Sequence, residues 1–156
     1  MHKKNSQGFS LLELLVSASI IAILTVIGVV SYSSVNKRSR DVKRKSDVEQ
    51  IRSALEMYRS DNGSYPDANA GSWGPASALN TYLVTQKYTP IIPSDPQDPT
   101  HSYYYAATNE DVSTSKYYGY CICSYLETAA KNSTCVADDI PGRDIPGACL
   151  YGLKNP

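Results

Sequence analysis

The chain opens on a long apolar run and then becomes periodic. Residues 9–30 read FSLLELLVSASIIAILTVIGVV, 22 residues with a single charged side chain. At about 1.5 Å rise per residue, some 20 apolar residues cross a hydrocarbon layer of roughly 30 Å. The run exceeds the roughly 7–15 apolar residues of a secretory signal peptide, so it predicts a spanning helix. Beyond it, apolar residues fall at Val35, Val42, Val48, Ile51, Leu55 and Tyr58. The last four are spaced 3, 4 and 3, the stripe of a helix with one buried face. No proline interrupts residues 9–65. One continuous helix is therefore predicted from about 9 to 60, roughly 80 Å long, and Asp61-Asn62-Gly63 supplies its stop.

After the helix the pattern breaks up. Residues 62–100 are rich in Gly, Pro, Asn, Ser and Asp, which predicts mostly loop. A short helix is expected at 75–86, where Pro75 suits a first turn and Leu79 and Leu83 are four apart. The Tyr-rich runs SYYYAAT and KYYGYCICSYL predict strands. In the second run, Tyr118, Tyr120, Ile122 and Leu126 are expected on one face, and Tyr117, Cys121, Cys123 and Tyr125 on the other. The fold class that follows is α+β: a long amino-terminal helix packed on a small head with two or three antiparallel strands. The expected divisions are 1–8, a short polar leader; 9–30, the spanning segment; 31–61, an amphipathic stalk; and 62–156, the head.

Charge sharpens this division. The formal net charge is zero, yet residues 31–60 carry eight basic side chains against four acidic, and residues 61–156 carry five against ten. A basic stalk thus joins an acidic head. All four cysteines, Cys121, Cys123, Cys135 and Cys149, lie in the head. A core this small gains from disulfides in an oxidising compartment. Cys121 and Cys123 share a strand face and point alike, so each is expected to pair with Cys135 or Cys149, the order being open. A four-thiolate zinc site is the competing reading, although C-x-C departs from the usual spacing.

Glu13 is the one charge in the apolar run. A carboxylate in a spanning helix costs about 2.5–3.5 kcal/mol on insertion scales, and such residues are functional by default. Lys3 and Lys4 hold the leader on the cytoplasmic side, but lie nine or more residues from Glu13. A cut between Gly8 and Phe9 would create an α-amine at Phe9, mostly cationic at pH 7. That amine, on the same chain or a staggered neighbour, is the partner Glu13 lacks.

The segment G-F-S-L-L-E-L-L-V, with its short basic leader, resembles the signature of type IV prepilins and type II secretion pseudopilins. LEMYRSDNGSYP at 55–66 resembles the junction in that family where the long helix ends. The Pro-Ser-Asp-Pro run before an aromatic strand resembles it more loosely. The resemblance implies the pilin fold and a structural subunit, not an enzyme. It implies that a prepilin peptidase cuts after Gly8 and methylates Phe9, and that Glu13 pairs with the Phe9 amine of a neighbour in a type IV pilus filament. The partners implied are copies of the chain, the peptidase, a membrane platform protein and an assembly ATPase. The precursor is expected in the inner membrane as a single-pass protein, and the assembled subunit at the cell surface. Many family members have Pro where this chain has Val30, so local melting of the helix is less assured here.

Two alternatives stand beside this reading: a pseudopilin of a type II secretion or DNA-uptake system, and an anchored surface-binding protein that never polymerises. The run KRSRDVKRK at 37–45 carries six cations and one anion and invites DNA; spread round a helix, the cations read more plainly as a solvated face or as partners of acidic heads. No cofactor is expected. Calcium is the one candidate, through Asp95, Asp98, Asp111, Asp138, Asp139 and Asp144, which follow no loop spacing. Trp73 is expected as an anchor, the thirteen tyrosines as strand formers with one end in water, and His101 as a surface residue. No nucleophile–base pairing or phosphate loop occurs in the sequence.

Overall fold

A computed structural model describes residues 9–128, 132–133, 135, 149 and 151–154. The chain divides into two compact units, Met1–Lys37 and Arg38–Pro156, and one helix, α1 (Leu11–Asn62), contributes to both. Its end is capped as the sequence predicts. Gly63 takes a left-handed conformation (φ 75°), and its N–H donates to the Arg59 carbonyl at 2.7 Å.

In the first unit the side chains of α1 are exposed all round, from Leu11 at 88% to Val29 at 66%. This is the described helix long and apolar enough to cross a membrane. Its hydroxyls are satisfied within the helix: Ser17 and Thr25 donate to the carbonyls of Glu13 and Ile21, both at 2.7 Å. A helix that meets its own polar demand suits a medium without water.

The second unit is the α+β head. Its strands are β1 (Gly74–Pro75), β2 (Tyr104–Asp111), β3 (Lys116–Ser124), β4 (Asn132–Ser133) and β5 (Tyr151–Lys154). They form one sheet in the order β1-β2-β3-β5-β4. All pairings are antiparallel except the short β4–β5 contact. The β2–β3 pair is the backbone of the sheet, with Tyr105 opposite Ile122 and Ala107 opposite Tyr120. Those four residues pack with Val48, Ile51 and Leu55 of α1 and with Leu79 and Leu83. Burying a side chain of this size stabilises by about 1.5–3 kcal/mol, so the helical stripe and the sheet face make the core together. Tyr58 packs on the same core, half-buried.

Three expectations are corrected. The short helix expected at 75–86 is narrower and irregular, a 3-10 turn at Ala76–Leu79 followed by a π turn at Asn80–Val84. Leu83 is buried in the core, with Tyr82 and Val84 packed partly against it. Tyr117, expected on the face away from Tyr120, belongs to the same buried cluster, and Tyr118, expected beside Tyr120, is exposed. Asn109 adopts a left-handed conformation in this part of the hairpin, and the loop after α1 covers Tyr117, whose carbonyl accepts the Tyr65 N–H at 2.8 Å. Finally, the buried tyrosines do not end in water. Tyr103 donates to Asp47 at 2.8 Å, Tyr120 to Glu56 at 3.1 Å and Tyr105 to the Pro66 carbonyl at 2.8 Å.

Candidate functional site

The first site is the start of α1. Ser10 and Glu13 bond each other reciprocally: the Ser10 N–H donates to Glu13 Oε2 at 2.9 Å, and the Glu13 N–H donates to Ser10 Oγ at 3.2 Å. This is a capping box, in which a hydroxyl and a carboxylate three residues apart satisfy donors that the helix leaves free. It turns the Glu13 carboxylate back towards residues 9 and 10. The S-x-x-E spacing from Ser10 to Glu13 is its sequence signal, set within an apolar run. Gly8 lies outside the described residues.

The second site lies where the head grips α1. Arg44 sits near the end of the basic run, yet its side chain is fully buried. It donates to Asp95 through two nitrogens at 2.7 and 3.0 Å, to Asp41 at 3.0 Å, to Glu127 at 2.9 Å and to the Gln97 side-chain oxygen at 2.8 Å. Arg40 holds Glu127 through both carboxylate oxygens at 2.7 Å. Asp41 accepts the N–H groups of Glu127 and Thr128, both at 2.8 Å, and the Thr128 hydroxyl at 2.6 Å. Two cations thus face three carboxylates, and the loops at 95–97 and 127–128 are fixed to one helix face.

The electrostatics follow from this packing. Burial opposes the charge on Arg44, but Asp95 and Glu127 outweigh it and raise its pKa above the ordinary value. The side-chain bond from Arg40 holds Glu127 down at about 2, against burial and with help from Arg44. Burial raises Asp41, yet the Thr128 hydroxyl and the two backbone N–H groups bring it below the usual carboxylate value.

Asp95 is therefore an internal ion-pair partner, not a free calcium ligand. Asp98 accepts the Ser102 hydroxyl at 3.2 Å, and Asp111 caps its own turn through Ser113 and Thr114. Asp138, Asp139 and Asp144 lie outside the described residues. Among the described residues, no group of three or more His, Cys, Asp or Glu is arranged to hold a metal. The basic run is likewise not one solvated face: Arg40 and Arg44 turn inward, and Lys43 pairs with Asp47 at 3.1 Å. His101, expected at the surface, is half-buried; its ring stacks on Tyr125 at 3.9 Å, with Arg44 5.5 Å from the centre of that Tyr ring.

The third feature is the sheet face away from α1. Cys121 is bonded to Cys135, and Cys123 to Cys149. Both bridges leave the same face of β3, and Trp73 packs beside Ala106, Cys121 and Cys135.

A capped carboxylate at the head of an apolar helix, an amphipathic continuation, and a small sheet gripped by that helix define a pilin-like α+β subunit. Comparison with known proteins gives the family. Residues 3–29 match the prokaryotic N-terminal methylation motif, and residues 32–124 match the family of type II secretion system protein G. The chain belongs to the type II secretion system protein G family, one of structural pseudopilins and pilins. It is 32% identical over 71 residues to type II secretion system core protein G of Pseudomonas aeruginosa, covering 46% of this chain and 50% of that protein. It is 35% identical over 95 residues to the protein of the same name from Escherichia coli K12, covering 58% and 66%. It is also 34% identical over 67 residues to the type IV wide pilus major component PilA4 of Thermus thermophilus, covering 43% and 51%. The chain thus spans about half the length of several curated relatives it matches. No solved structure matches.

Proposed function

We propose that the chain is the repeating subunit of a secretion-type or pilus filament, made as a membrane-anchored precursor, cut between Gly8 and Phe9, and methylated at Phe9. The observation that carries this reading is the methylation motif at 3–29 running into the protein G match at 32–124, on a chain whose capping box aims Glu13 at residues 9 and 10. In the uncut chain the Ser10 N–H already satisfies one carboxylate oxygen. Cleavage places a cation one residue away, and a staggered neighbour's Phe9 amine completes the pairing. Glu13 then selects and registers the next subunit, and processing becomes the switch that permits assembly.

The proposed partners are further copies, the prepilin peptidase, a membrane platform protein and an assembly ATPase. The proposed course runs from the inner membrane to the filament. Similarity to relatives named core protein G favours a short secretion pseudopilus. A surface pilus is the second reading, favoured by the likeness to PilA4 and by two disulfides that suit an exposed head.

A sheared-surface preparation with amino-terminal mass analysis tests both readings. Long filaments whose subunit begins at methylated Phe9 support a pilus. Processed subunits that stay with the envelope, together with loss of secretion on deletion, support a pseudopilus. A full-length, uncut chain left in the membrane would refute assembly altogether.

A further inference from the structure

Arg38, Val42 and Lys45 share one exposed face of α1, at helical spacings of four and three. Val42 is 63% exposed. Among the described residues, Arg38 forms no ion pair, and Lys45 lies 5.5 Å over the Tyr151 ring. The face is an apolar centre between two cations.

The tip of the β2–β3 hairpin has the opposite composition. Glu110 and Asp111 lead into Val112, which is 84% exposed. Asp67 and Glu110 both act on Tyr117, whose hydroxyl is pushed up first by burial and then by these carboxylates. Lys116 sits in register with Asp111 and offsets one charge. The tip is held in shape, since the Asp111 carboxylate accepts the Ser113 N–H at 2.9 Å and the Thr114 hydroxyl at 2.9 Å.

These two surfaces do not meet within one subunit. The hairpin is tied through Tyr117 to Tyr65, just past the end of α1. Arg38 lies 24 residues before that end, roughly 36 Å along the helix. Complementary patches at separate places on one chain make a heterologous contact, and such contacts propagate from copy to copy.

We propose that the β2–β3 tip of one subunit docks on the Arg38–Val42–Lys45 face of a second copy, Val112 against Val42 and the tip carboxylates between Arg38 and Lys45. The proposal rests on the filament reading and names the surfaces through which heads engage stalks.

The test uses the full chain in assembling cells. Reversing Arg38→Glu or Glu110→Lys alone is expected to lower the yield of filaments roughly tenfold, because like charges then face each other. The double reversal restores the pair with opposite polarity and recovers most of the yield. A photo-crosslinking residue in place of Val112, in otherwise unaltered filaments, is expected to form adducts within residues 38–45 of a neighbour. Filaments that form without that adduct, or a double reversal no better than the single ones, overturn the docking and leave the filament reading standing. Absence of any filament or processed subunit from the unaltered chain overturns both.

Discussion

Replacing Arg44 with Met is the severest test of how the head is held to its helix. Met keeps the stem and removes the guanidinium. Asp95, whose side chain is fully buried, then loses both of its charge-assisted bonds, and Asp41 and Glu127 lose one each. Removing one partner of a buried ion pair costs about 3–5 kcal/mol, because the remaining charge is stranded away from water. For a head of this size, each kcal/mol lowers the melting temperature by roughly 3–6 °C, so a fall of about 10–30 °C is expected. The assay is near-ultraviolet circular dichroism of the detergent-solubilised full chain during heating, which reports the packed tyrosines and not the spanning helix. Arg44→Met, Asp95→Leu removes both members of the closest pair, and it should recover part of the loss. A single variant melting within 2 °C of the parent would refute the view of Arg44 as the clamp, since a solvated surface pair contributes only about 0–1 kcal/mol.

Other outcomes follow from the same structure. Glu127 has a folded-state pKa near 2, below its unfolded value, so its contribution is complete above about pH 4.5 and is lost as pH falls towards 2; Glu127→Gln should flatten acid unfolding over that window, and an unchanged curve would count against it. Glu13→Ala should leave cleavage intact, seen by amino-terminal mass analysis, while sharply reducing assembly; normal assembly would remove the pairing argument. Cys121→Ser opens a bridge joining residues 14 apart, and loss of a loop of that size is expected to cost about 3 kcal/mol; a denaturant midpoint equal to the parent's, both without reductant, would contradict this.

Much of the fold was readable because it repeats along the chain. The apolar run, the stripe Val48, Ile51, Leu55, Tyr58, and the stop at Asp61-Asn62-Gly63 each follow from local rules. The clamp was not readable by the same means. Continued towards the amino terminus, the buried stripe reads Tyr58, Leu55, Ile51, Val48, Arg44, Asp41, still at spacings of three and four. A search for apolar periodicity ends at Val48, because the next two buried positions are charged. Extending the period regardless of polarity would have flagged Arg44, but its partners at 95 and 127 lie in loops with no period. The two-residue strands β1 and β4 were hidden for a related reason: their pairing is set by distant residues. At the start of α1, the carboxylate stands out by its charge, whereas its cap is marked only by the short S-x-x-E spacing.

The separation between Arg44 and its partners has a consequence in time. Asp95 comes 51 positions later and Glu127 83 positions later. Synthesis runs from the amino terminus, so until these two residues are made only Asp41, on the same helix, is there to neutralise Arg44. Until then the donors that later meet Asp95, Gln97 and Glu127 lack those partners. Contacts of such long sequence separation also form slowly. The clamp on the first-made part of the head is therefore complete only when residues made much later return to it.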